Sequence, residues 1–250
     1  MHQSNYTSKV PQVTLAFWLI KIAATTLGET GGDALSMSLN LGYAVSTAIF
    51  FIFFIVTLTG QIRTERYNPF LYWAVIIATT TVGTTLADFI DRSLGVGYAG
   101  GIIILSTLLL LVIAAWRWRC GSVSVKKIKT RSSEIFYWVT ILFSNTLGTA
   151  LGDWLADDPH FGYVGGAIVF LSILAVITIL YFLTHLSRTL LFWAAFIITR
   201  PLGATLGDFL TKPLDHGGLD LSRFTSTTVL AVFILIGVFL GSYTFNKSKS

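Results

Sequence analysis

Residues 18–33 read WLIKIAATTLGETGGD, and the same frame returns as WAVIIATTTVGTTLAD at 73–88, WVTILFSNTLGTALGD at 138–153 and WAAFIITRPLGATLGD at 193–208. Each copy opens on a tryptophan (Trp18, Trp73, Trp138, Trp193) and closes fifteen residues later on an aspartate (Asp33, Asp88, Asp153, Asp208). Ten residues after each tryptophan stands Gly28, Gly83, Gly148 or Gly203; fourteen after it stands Gly32, Ala87, Gly152 or Gly207. Nine residues beyond each aspartate comes another glycine (Gly42, Gly97, Gly162, Gly217), followed in the first three copies by Tyr43, Tyr98 or Tyr163. The fourth copy departs there, with residues 218–223 inserted before its second apolar run. Recurrence at fixed offsets is the mark of an internal repeat.

The frame is set in apolar sequence. Hydrophobic residues make up 54% of the 250 and charged residues only 12%, with a mean hydropathy of +0.73. A soluble domain of this size cannot hide so much apolar surface. Lipid is therefore the expected solvent, and in lipid the backbone must close its own hydrogen bonds as helices or as a closed barrel. Barrel strands alternate apolar and polar residues. Stretches 48–58, 101–116 and 167–183 instead run apolar almost without a break, so they read as helices. The expected fold is all-α, with eight transmembrane helices at about 12–36, 43–60, 69–91, 98–117, 134–156, 163–183, 189–211 and 225–244. Two spans per copy give repeats at 12–60, 69–117, 134–183 and 189–244 within one membrane domain, residues 1–250. An even number of spans per unit makes the four copies parallel.

At this point the tryptophans, glycines and aspartates show a likeness. The pattern resembles the bacterial membrane proteins built of four tandem two-span repeats, the domain of unknown function 347 repeat. The resemblance covers nearly the whole chain. It implies fold and membrane location and brings no activity, so function has to be read from the residues.

Lysine and arginine set the orientation. Lys9, Arg63, Arg66, Arg117, Arg119, Lys126, Lys127, Lys129, Arg131, Arg188, Lys247 and Lys249 fall on one side; Arg92, Lys212 and Arg223 fall on the other. Twelve against three predicts both termini, and the basic 118–133 loop between the halves, on the cytoplasmic side of an inner membrane. The single cysteine, Cys120, excludes an intramolecular disulfide and lies in that basic, reducing setting. Basic residues clustered at span ends anchor helices to headgroups, so the +5 charge points to the bilayer and not to nucleic acid. Residues 1–10 are polar and lead into a full-length span, which predicts no cleavable signal.

The odd-numbered helices carry the polar chemistry and are expected inside, with the more uniformly aliphatic even helices at the rim. Gly28/Gly32, Gly83/Ala87, Gly148/Gly152 and Gly203/Gly207 are small-xxx-small pairs, which let helices approach closely in lipid. On the helical face of each aspartate lie residues three, four and seven positions earlier. These are Thr30, Thr85, Ala150, Thr205; Glu29, Thr84, Thr149, Ala204; and Thr26, Thr81, Thr146, Pro201. Eight of twelve are threonines, which reads as the wall of a hydrated path beneath four intramembrane carboxylates. The bland alternative is that each hydroxyl bonds its own backbone and each aspartate closes a helix end. The copies also differ: Lys21 and Glu29 are added in the first, and Arg200 beside Pro201 in the fourth, where the third has Asn145. Lys21 has the reach to snorkel to an interface. Arg200 lies too deep and needs a carboxylate such as Glu29, either as a coupling element or as a structural ion pair.

The leading functional reading is a transporter or channel for a small cation or proton. Its path would be Glu29, Asp33, Asp88, Asp153, Asp208, Thr26, Thr81, Thr146, Thr84 and Thr149, with Arg200 and Lys21 as charge partners. Carboxylate and hydroxyl oxygens suit hard cations. Residues 29–33 approximate the Glu-x-Gly-Asp signature of a manganese/calcium exporter family, one residue out of register and with no base following. An intramembrane aspartyl protease is the enzyme to weigh, since 150–153 and 205–208 approach Gly-x-Gly-Asp. The first glycine is missing from both and no Tyr-Asp partner motif occurs. His2, His160, His185 and His216 form no metal-ligand or base–nucleophile set, so no enzyme activity and no cofactor are expected. A non-transporting scaffold or sensor is the third class.

Overall fold

The computed structural model describes residues 9–125, 128, 130–158 and 160–247, with side chains through Ser242. His2, Lys126, Lys127, Lys129, Lys249 and the side chain of Lys247 therefore lie outside the description. The described residues form eight α-helices and no strand: α1 Leu15–Asp33, α2 Gly42–Arg63, α3 Pro69–Asp88, α4 Gly97–Cys120, α5 Arg131–Ala156, α6 Gly162–Leu183, α7 Arg188–Thr211 and α8 Arg223–Lys247. α4 runs on to Cys120 and α5 starts at Arg131, so the connection between halves is shorter than 118–133. One π-helical turn follows α1 (Ala34–Ser38) and another follows α3 (Phe89–Ser93). Neither is visible in the apolar pattern.

The two kinds of helix start differently. Each odd helix has a side-chain cap: Thr14 accepts from the Phe17 amide, Asn68 from Leu71, Thr130 from Ser133 and Ser187 from Leu190. Such a cap stabilises a helix by about 1 kcal/mol. The even helices α2, α4 and α6 instead open on Gly42, Gly97 and Gly162, at φ 73°, 73° and 59°, and Gly217 before α8 sits at 82°. A side chain is strained at these angles, which accounts for a glycine nine residues after every aspartate.

α1, α3, α5 and α7 form a closed square: α1 packs on α3 and α7, and α5 packs on the other sides of both. The even helices lie outside it, each against the odd helix of the next repeat. α2 packs on α3, α4 on α5 and α6 on α7; α8 returns to pack on α1 and closes the circle. Burial divides the two sets. In their most apolar stretches α3, α5 and α7 are 67–72% buried, and the even helices 17–22%. The outer helices present Phe51, Ile52, Ile103, Leu110, Phe182 and Leu240 to the surroundings, an apolar surface that water does not tolerate.

Among the described residues seven helices are long and apolar enough to cross a membrane; α1 is the exception. Lys21, Glu29 and its threonines and glycines lower the hydropathy of α1, and all of these side chains except its flanks are buried against neighbouring helices.

Candidate functional site

The repeat offsets become contacts around the square. A Cβ built on Gly28 would stand 2.5 Å from Thr80, on Gly83 3.0 Å from the Asn145 backbone, on Gly148 2.4 Å from Arg200 Cγ, and on Gly203 2.2 Å from Thr25 Oγ1. Each partner lies seven residues past the tryptophan of the next repeat, and the fourth glycine meets the first repeat. The second small residue works the same way one turn on: Gly32 against Thr84, Gly152 against Ala204 and Gly207 against Glu29. The absent side chains bring the backbones close enough for cross-helix bonds. Thr25 donates to the Thr199 carbonyl at 3.2 Å, Thr80 to Ala24 at 3.2 Å and Thr84 to Gly28 at 3.1 Å.

The tryptophan end of the square is filled with rings in the same cyclic order. The aromatic residue before each tryptophan meets the next repeat's tryptophan: Phe17 with Trp73, Tyr72 with Trp138, Tyr137 with Trp193 and Phe192 with Trp18, at 5.4–6.1 Å between centroids. Tyr72 and Tyr137 also share a 2.7 Å hydroxyl–hydroxyl bond.

One turn deeper the charges begin. Arg200 is fully buried, and its Nη2 donates to Glu29 Oε2 at 3.0 Å, to Thr84 Oγ1 at 2.5 Å and to Thr149 Oγ1 at 2.6 Å. Three helices thus converge on one nitrogen of α7. The helix continues through Pro201, whose ring packs where a side chain on Gly148 would be. Lys21 does not snorkel: it is 0% exposed, and its Nζ lies 4.2 Å from the Phe196 ring centroid.

The four aspartates are joined in pairs across repeats. Arg92 contacts Asp88 at 3.0 Å and Asp153 at 3.2 Å. Lys212 contacts Asp208 at 3.1 Å and Asp33 at 3.3 Å, and Arg223 stands 3.6 Å from Asp33. Burial opposes charge on Lys212, yet Asp208 and Asp33 outweigh it and hold the ammonium's pKa above the ordinary lysine range. Glu29, Asp33 and Asp208 each place a carboxylate oxygen within 4.8 Å of the others, the one described group of acids close enough to share a cation.

The threonines divide. Thr84 and Thr149 turn to Arg200, whereas Thr26, Thr81 and Thr146 return their hydroxyls to the carbonyls of Ile22, Ile77 and Leu142. Sequence reasoning missed several buried polar groups. Asp91, in the second π-turn, faces Gly101, where a Cβ would collide with its carboxylate. At the opposite end Lys9 joins the carbonyls of Gln61 and Ile62 to Glu134, the last at 2.8 Å. The missing glycine side chain at Gly101 is the only sequence signal of either.

Four segments, residues 16–67, 71–121, 136–187 and 191–247, match the family model described as Repeat of Unknown Function (DUF347). The chain belongs to the DUF347 repeat family. No curated protein and no solved structure matches it significantly. In this DUF347 chain each matched segment spans one odd and one even helix, so the repeat unit of the sequence is split between two sides of the packed structure.

Proposed function

We propose that the chain is an eight-span inner-membrane transporter or channel for a small cation or proton, with parallel repeats and both termini cytoplasmic. α1 counts as the eighth span because α3, α7 and α8 surround it, so its polar residues meet protein and not lipid. The observation that carries the reading is Glu29, a buried carboxylate inside the square whose charge is held by Arg200 and whose oxygen lies within reach of Asp33 and Asp208. Intramembrane ionisable residues are costly, and a bundle interior that keeps five acids has a use for them.

The route runs from the aspartate end inward. A cation or proton reaching Asp33 and Asp208 competes with the Lys212 ammonium, then meets Glu29. Binding there loosens Arg200, which remains held by Thr84 and Thr149. The aromatic layer closes the tryptophan end, so transport requires it to part. Purified chain in liposomes, challenged with alkali, Mg²⁺, Ca²⁺ and Mn²⁺ ions and with a proton gradient, tests the reading through a pH dye and a metal dye. Movement of one species above empty liposomes supports it; no movement of any removes it.

A scaffold or sensor is the second reading, favoured by the side-chain-free helix contacts and by threonines that satisfy themselves. It predicts no flux at all.

A further inference from the structure

Arg200 uses only one edge. Nη2 makes all three of its hydrogen bonds, while Nε and Nη1 are buried with no partner among the described residues. Lys21 Nζ is equally buried and equally without an acceptor. The two are close enough to act on each other electrostatically. Lys21 stands over Phe196, and Arg200 follows Phe196 by four residues, about 6 Å along the same face of α7. Arg200 reaches across the square to α1, α3 and α5, and Lys21 lies fully buried on α1, the helix beside α7. Asn145 Oδ1, on the third side and one cyclic contact from Arg200, also lacks a partner, and exchange of its amide oxygen and nitrogen would offer a donor there.

The charges in these turns do not balance. Lys21 and Arg200 are opposed by Glu29 alone, and Glu29 is engaged by Arg200 Nη2. A charged Lys21 needs a counter-ion or acceptor that no described residue supplies, and one ring face offsets only part of that. Buried donors in folded proteins have acceptors, so several orphaned N–H groups in one place point to a missing one.

We propose that Lys21 Nζ and the Nε/Nη1 edge of Arg200 form a binding site for a small monovalent anion inside the helix square. The anion supplies the charge that Glu29 cannot, accepting from the Arg200 fork on one side and the Lys21 ammonium on the other. The close packing of the four inner helices argues for a small anion, a halide or a one- or two-carbon carboxylate. The site shares Arg200 with the carboxylate path but uses its Nε/Nη1 edge and not Nη2, and its occupancy does not depend on cation transport.

The test is thermal unfolding of the full chain in detergent, followed by tryptophan fluorescence. Chloride, nitrate, formate and acetate are titrated at constant ionic strength against gluconate, which is too large to enter. At least one should raise Tm saturably, as a ligand of the native state does; chloride acting alone identifies a monatomic site, and formate or acetate a carboxylate site. Lys21→Met, which keeps the apolar stem, should lose the saturable rise, and Lys21→Arg should keep it. Equal shifts in wild type and Lys21→Met, or no rise over gluconate in wild type, overturn the proposal. The wild-type titration decides even if Lys21→Met does not fold, and flux measurements read the carboxylate path separately.

Discussion

Arg200 and Glu29, 171 positions apart in the chain, meet at 3.0 Å with neither side chain reaching the surface. The contact joins the first repeat to the fourth and is the electrostatic counterpart of the α8–α1 packing that closes the circle. Its strength lies in what its loss leaves behind, since a buried pair contributes little net but a stranded partner costs a great deal.

Arg200→Ala strips Glu29 of its buried cation and removes the donor shared by Thr84 and Thr149. It should destabilise the detergent-solubilised protein by about 3 kcal/mol. Arg200→Ala combined with Glu29→Ala should recover part of that loss. Thermal unfolding of the two single variants and the double variant measures the coupling; additive losses would show the two residues to be independent.

Gly203→Ala sets a Cβ 2.2 Å from Thr25 Oγ1 and 2.8 Å from the Thr25 backbone, so α1 and α7 have to separate. Helix propensity favours alanine by about 1 kcal/mol, against a cost of about 1–3 kcal/mol for overpacking. The net should be a loss. Gly241→Ala in α8, with nothing within 4 Å, should show the propensity gain alone. Unfolding temperatures of the two variants with opposite signs would bear this out.

Much of this arrangement was legible in the sequence. The offsets of Trp18, Gly28 and Asp33 recur because each takes one place in a cyclic set of contacts, and a fourfold constraint leaves a fourfold trace. The division into polar inner and apolar outer helices followed from Thr, Gly and charge against Leu, Ile and Phe. Partnership was not legible. Offsets within a repeat cannot say that α2 docks on the α3 of the next repeat, or that Arg92 and Lys212 sort four equivalent aspartates into two pairs. The hydroxyl directions of Thr26, Thr81 and Thr146 are likewise local backbone choices that spacing does not encode. Lys21 had the reach to snorkel, and only the position of Phe196 on α7 shows why it stays inside.

Lys212 carries a pH signature. Its folded pKa is raised above the ordinary lysine value by Asp208 and Asp33 despite burial. A raised pKa contributes stability that is fully present below the ordinary value and is lost only as pH climbs through the folded one. Stability from this bridge should therefore be constant from pH 6 to 9 and fall in strong alkali. Lys212→Met should be less stable than wild type across that whole range, and Lys212→Arg should not. A wild-type loss between pH 7 and 9 that Lys212→Met lacks would contradict the assignment.

Orientation is open to a direct probe. Cys120 closes α4 and is only partly buried. With cytoplasmic termini, a membrane-impermeant maleimide should label it in inside-out vesicles and spare it in intact cells or spheroplasts. The reverse pattern would turn the proposed topology over.

The most direct measurement is flux through Glu29→Gln in liposomes, beside its unfolding temperature. Glutamine keeps the shape of the side chain and an acceptor for Arg200 and Thr84 but removes the charge. The account predicts that Glu29→Gln inserts and folds, at a lowered unfolding temperature because Arg200 loses its counter-ion, while cation or proton movement falls to the level of empty liposomes. Wild-type flux in Glu29→Gln, with the protein folded, would contradict it.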